Sequence, residues 1–182
     1  MIYIGRIGNV RLYFREIIWY NLFISERQIR SENGDIMFEE LSVYVILLEV
    51  DLLSDSEYNH YLDALFLKNE HNDLLLELEC YSSDKLKSVQ IIKNSLFYSD
   101  NPFDYNEFGQ FLFEKINIIY NQKNINIKKF GSKMYAVWQL LPSCISNIEP
   151  FWTLSYADDC LSYGDEKQTR ELYQKAFKYY SN

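Results

Sequence analysis

The residues best suited to chemistry are two adjacent carboxylates, Asp158 and Asp159, preceded by Tyr156 and Ala157. Paired carboxylates hold divalent cations for phosphoryl transfer, because hard cations take oxygen ligands and two of them clamp the attacking and leaving oxygens. The remaining candidates are sparse. His60 and His71 are the only histidines, and Cys80, Cys144 and Cys160 the only cysteines. A zinc site needs three or four such ligands at short, regular spacing, and none of these residues meets that spacing. His60 lies three residues from Glu57 and from Asp63, on the polar side of its helix, where a solvated histidine is expected. No Ser-His-Asp or Cys-His constellation stands out. Gly5-x-x-Gly8 lacks the third glycine and the strand-to-helix context of a dinucleotide fingerprint, and no Walker lysine motif occurs. No catalytic residue, metal ligand or cofactor-binding residue is assigned, and the chain is expected not to be an enzyme.

Tyr156-Ala157-Asp158-Asp159 resembles the Y-x-D-D motif of reverse transcriptases. That chemistry needs a third aspartate on another strand and a basic groove for nucleic acid. This chain carries a net charge of −8, and Asp158 is expected in a helical turn after Pro150, not at a hairpin tip. An acid pair at a helix end is the simpler expectation.

The charge is unevenly placed. Residues 32–79 hold thirteen acids against one base, Lys68, whereas residues 1–31 and 80–148 are each net positive by three. A single-sign face repels phosphates and attracts basic proteins. Its plain alternative is a solvated surface that keeps the protein soluble. The expected partner-binding residues are Glu49, Asp51, Asp55, Asp63, Glu70, Asp73 and Glu77. The lysines at 123, 128, 129 and 133 form a small patch, read as a solvated helix end.

Helical stripes supply the elements that must position these residues. Ser54-x-x-Glu57 is a capping box ahead of Tyr58, Tyr61, Leu62, Leu65 and Phe66. Asp84 can cap a helix with Leu86, Val89, Ile92 and Leu96 on one face; Tyr105 to Tyr120 forms another stripe. Ser132 is read as the cap of a short helix ending at Pro142, and Ser146-x-x-Glu149 as a second capping box before Pro150. Thr169 to Tyr180 is the clearest amphipathic helix, and Val10 to Ile24 also reads as helix. Trp138, Phe151 and Trp152, with Pro142 and Pro150, read as core around a tight corner, a ligand pocket being the alternative. Two stretches are ambiguous. Ser42–Leu53 is largely apolar and partly β-branched, with Glu39 and Glu40 favouring a helix start; Asp73–Tyr81 alternates leucine and glutamate. The expectation is one all-α domain over 1–182, an array or bundle of about eight helices, with α+β and strands near 42–53 and 73–81 as the alternative. Six glycines and three prolines are too few for an all-β fold, and 17% aromatics with only four alanines leave bulky rings to pack the helices. The odd, widely spaced cysteines are expected to be reduced and buried. Residues 1–6 lack an apolar secretory core, and the run Val43–Leu48 is too short to span a bilayer, so a cytoplasmic location without a membrane is expected.

In size, in its Asn-, Ile- and Tyr-rich composition, in the acidic block Glu32–Glu79 and in its lack of active-site motifs, the chain is similar to small acidic immunity proteins of bacterial polymorphic-toxin and contact-dependent growth inhibition systems. Trp138-Gln139-Leu140-Leu141-Pro142, Glu149-Pro150-Phe151-Trp152 and Tyr156-Ala157-Asp158-Asp159 also look like segments of helical bacterial domains. The resemblance implies an inhibitor that binds one cognate protein toxin; a nuclease with a basic active-site surface is one such partner, and nucleic acid itself is not. The alternatives are a helical adaptor for another basic partner and an enzyme with an unrecognised site. For the acid pair the expectation is concrete: primer-extension assays with Mg²⁺ or Mn²⁺ give no incorporation. Incorporation that disappears in Asp158→Ala overturns it.

Overall fold

A helix that is apolar around its whole circumference must be covered on every side. The segment after Glu39 and Glu40 is such a helix, α1 (Phe38–Glu49), and eight of its residues, Leu41 to Leu48, are buried. The computed structural model describes residues 38–69, 71–98, 103–122 and 125–180, so the helix expected over Val10–Ile24 lies outside the described residues.

Two interlaced stripes divide α1. Val43, Ile46, Leu47 and Val50, at i, i+3, i+4 and i+7, enter one core cluster, with Leu112, Ile116, Met134, Val137 and Tyr173 among its members. Leu41, Tyr44, Val45 and Leu48, at the same spacing, enter a second cluster with Tyr58, Leu62, Leu75, Leu78 and Ile92. The second cluster is built by α2 (Asp55–Phe66), α3 (Asp73–Cys80) and α4 (Lys85–Tyr98). The first is built by α5 (Tyr105–Tyr120), α6 (Ile127–Leu140), the short helices α7 (Ser143–Ser146) and α8 (Thr153–Tyr156), a 3₁₀ turn (Asp159–Tyr163) and α9 (Glu166–Phe177). Helix α1 touches α2, α4, α5 and α6. No strand occurs among the described residues, so the fold is all-α, and both ambiguous stretches are helical.

Local chemistry sets the helix starts. Ser54 and Glu57 form the reciprocal capping box: Glu57 N–H donates to Ser54 Oγ (3.2 Å) and Ser54 N–H to Glu57 Oε2 (2.9 Å). Asn72 caps α3. Asp84 accepts from Lys87 N–H, as its position predicts. Asn126 caps α6 six residues before Ser132, which is exposed inside the helix; the asparagine satisfies Lys129 N–H at 3.1 Å, so the helix begins earlier than Ser132 implies. The second expected capping box is absent. Ser146 closes α7, and Glu149, ahead of a cis peptide to Pro150, accepts from Thr153 Oγ1 and Tyr156 O–H instead. Leu86 is 81% exposed and Trp152 50% exposed, so neither joins the core that periodicity gave it; Phe151 does, and Trp138 donates its indole N–H to Ser146 O. Cys80 and Cys144 are exposed and only Cys160 is buried; all three are free thiols. No described helix is long and apolar enough to cross a membrane.

The end of α1 has a specific stop. Leu52 N–H donates to Leu47 O (2.9 Å), Asp51 N–H to Leu48 O (3.1 Å), and Asp51 is left-handed at φ 54°. This is the Schellman arrangement, with aspartate where glycine usually stands. Aspartate tolerates the left-handed region better than alanine does, because alanine's Cβ clashes without a compensating polar group. Asp51→Ala is therefore expected to be less stable than Asp51→Gly by about 1 kcal/mol. Urea unfolding of the two variants measures the difference; equal midpoints mean that backbone handedness does not limit this turn.

Candidate interaction surface

The polar end of α1 draws in the lysines. Asp51 is held by Lys85 (2.5 Å) and by Lys133 (3.5 Å), and Glu49 by Lys93 (2.7 Å). Lys133 also donates to Val50 O (2.6 Å), answering a carbonyl at the negative end of the helix. Lys115 donates to the Tyr44 hydroxyl and sits over its ring, which in turn stacks on Tyr61 with centroids 3.6 Å apart. The Lys85 ammonium beside Asp51 holds that carboxyl below its ordinary range. The expected lysine patch is thus divided: Lys128 and Lys129 are exposed, Lys133 is turned into α1, and Lys123 lies outside the described residues.

The sequence-derived acidic set separates in the same way. Glu49 and Asp51 are engaged by lysines of the 80–148 segment. Asp55, Asp63, Asp73 and Glu77 stand exposed on α2 and α3, with no lysine or arginine paired to them among the described residues. Glu70 lies outside the described residues. Asp55 and Asp73 each open a helix, where the N-terminal amides favour a negative charge without neutralising its field. The exposed apolar side chains Leu67, Leu76, Tyr81 and Leu86 come from this same α2–α4 stretch. His60 and His71 are exposed, as expected of the former.

One member escapes sequence reasoning. Glu79 is partly buried, and burial together with the neighbouring Asp63 carboxylate pushes its carboxyl above the ordinary range. On a helix, Glu79 stands one turn after the buried Leu75 and beside the buried Leu78, whereas Glu77 points outward. Read as an alternating strand, the two glutamates share a face; the helical period separates them.

The Asp158 and Asp159 side chains stand in different surroundings. Asp158 packs against α6 at Gly131, where an added Cβ would approach Asp158 Cβ to 2.5 Å, while Asp159 is exposed. Burial raises the Asp158 carboxyl. No group of three or more His, Cys, Asp or Glu side chains among the described residues converges to hold a metal ion. In comparisons with protein-family models, curated proteins and solved structures, nothing matches this chain.

The like-charge contact at Glu79 carries a pH dependence. A carboxyl raised in the folded state weakens the fold as it ionises, so its contribution is favourable at low pH and is lost as pH rises through the folded value. Glu79→Gln is expected to raise the urea midpoint at about pH 7, with the gain shrinking as pH falls and the wild-type carboxyl protonates. A variant less stable than wild type at neutral pH contradicts the repulsion.

Proposed function

We propose that this protein is an immunity protein, which neutralises a cognate bacterial toxin by binding it through the acidic face of α2 and α3. The carrying observation is the division of charge: Lys85, Lys93 and Lys133 are spent on Glu49, Asp51 and the end of α1, leaving Asp55, Asp63, Asp73 and Glu77 exposed without a basic partner among the described residues. Like charges crowded on one face cost self-repulsion, and a positively charged partner turns that cost into steering and selectivity. A nuclease fits as the toxin class, because it must present basic groups to phosphates at its active site. Leu76 on α3, Leu67 and Tyr81 just past the ends of α2 and α3, and Leu86 on α4 supply exposed apolar area, matching the mixed apolar and polar make-up of interfaces. The action proposed is occlusion, needing no cofactor and no chemistry from this chain, in the cytoplasm of the cell that makes it.

The test uses the protein encoded beside this chain in its genome. Reversing Asp55, Asp73 and Glu77 together to lysine is expected to slow association about tenfold or more at low salt and to flatten its salt dependence. The dissociation rate changes less. Tight binding that ignores both salt and these substitutions moves the interface elsewhere, for instance to the exposed Trp152 corner; no binding to the neighbour removes the immunity reading.

A further inference from the structure

Just ahead of α8 the chain presents a large apolar side chain on a fixed backbone. Trp152 is 50% exposed, although Phe151, Thr153 and Leu154 beside it are buried. Its main chain is tied on both sides: Trp152 N–H donates to Ile148 O (3.0 Å), and Trp152 O accepts from Ser155 N–H (2.9 Å) and from Ser155 Oγ (2.8 Å). Ile148, one turn earlier, is exposed as well and widens the apolar patch. Burying an indole is among the larger apolar gains open to a chain, so an indole held out in solvent by a locked backbone calls for a reason.

The polar groups beside the indole narrow that reason. Tyr156 joins two features: its ring meets the Trp152 ring edge to face, with centroids 5.5 Å apart and planes at 67°, and its hydroxyl donates to Glu149 Oε1 (3.0 Å). Thr153 Oγ1 donates to the other oxygen, Glu149 Oε2. Hydroxyls therefore orient the carboxylate from both oxygens while neutralising none of its charge. Glu149 is exposed, and no lysine or arginine pairs with it among the described residues. A carboxylate has about four lone-pair positions, so each oxygen still has room for a further donor.

An aromatic face attracts a cation through its quadrupole, and an unneutralised carboxylate attracts the same cation through its charge. An anion is repelled by Glu149, and a wholly apolar occupant strips the carboxylate of water without replacing those hydrogen bonds. A divalent metal needs more oxygen ligands than one carboxylate and its hydroxyls supply. Among organic cations, an ammonium is compact and strongly hydrated, whereas a guanidinium stacks flat on an aromatic ring and turns its N–H edge to a carboxylate at the same time. We propose that Trp152, Tyr156 and Glu149 form a binding site for an arginine side chain presented by a protein partner, with the guanidinium stacked on the indole and its N–H edge directed at Glu149. The site lies outside the acidic face of α2 and α3 and does not rest on the function proposed above.

The test uses the full chain labelled with ¹⁵N. The peptide acetyl-Gly-Arg-Gly-amide is titrated in while the indole N–H resonance of Trp152, assigned by its loss in Trp152→Phe, is followed by NMR. Three ligands run in parallel: the same peptide with citrulline, which keeps the shape and loses the charge, the same peptide with lysine, and methyl β-glucoside, an uncharged sugar that stacks on indoles. Saturable binding of the arginine peptide is expected, with a dissociation constant on the order of 10 mM, since one small contact has little affinity to offer. The other three ligands are expected to bind at least about fivefold more weakly. Glu149→Gln keeps an acceptor for the two hydroxyls but loses the charge, and is expected to weaken arginine binding at least about fivefold. Tyr156→Phe keeps the ring but releases the carboxylate, and is expected to weaken it about twofold or more. Asp55→Asn, on α2, leaves it unchanged. Trp152→Leu, followed instead on the Glu149 carboxyl ¹³C resonance, is expected to abolish saturation. Absence of saturation in the wild type, citrulline, lysine or the sugar binding as tightly as arginine, or wild-type affinity in Glu149→Gln overturns the proposal.

Discussion

The burial of α1 on all sides is the constraint from which the rest of the architecture follows. Its two apolar stripes belong to different clusters, so neither half of the molecule can complete its core without that helix. Val43, Ile46 and Leu47 are as buried against α5 and α6 as Leu41, Tyr44 and Leu48 are against α2 and α4. Large-to-small changes on either stripe remove contacts in a densely packed interior, and such losses commonly reach a few kcal/mol. The helix is short, with little intrinsic stability of its own, so packing holds it and it in turn organises the packing.

The electrostatics descend from the same helix. An enclosed helix still has to satisfy its last carbonyls and the negative end of its dipole. Glu49 and Asp51 increase the negative charge there, and Lys85, Lys93 and Lys133 converge from α4 and α6 to meet it. Lysines committed to that junction do not stand across from the acids of α2 and α3. The acidity of the outer face is thus partly a consequence of how the core is closed, and the net charge of −8 understates the local imbalance.

Much of the fold was legible from residue patterns because helix starts are written in local chemistry. Ser54, Asp84 and the stripe from Thr169 to Phe177 stand where their types predict. Misplacements arose where tertiary context overrode a local signal. Ser132 carries a cap signature, but Asn126 begins α6 upstream, and nothing local ranks one above the other. Ser146 and Glu149 have capping-box spacing, yet Pro150 joins through a cis peptide and Glu149 turns to Thr153 and Tyr156. The ambiguity of Ser42–Leu53 had a physical cause: a helix buried on both faces loses the amphipathic period that distinguishes it from a buried strand. The surface was less legible than the fold. Charge counting singled out Asp55, Asp63, Asp73 and Glu77 together with Glu49 and Asp51, but could not reveal that Glu49 and Asp51 meet lysines more than thirty residues away.

Glu79 shows why those limits bear on function. A residue selected only for stability would not leave a partly buried carboxylate beside Asp63 with one oxygen unpaired, because glutamine or leucine there removes the repulsion at once. Departures from local consistency in natural proteins concentrate where a site serves something other than folding. Burial and the Asp63 charge together disfavour the ionised Glu79 carboxyl, so the α2–α3 junction loses stability as pH rises through its folded value.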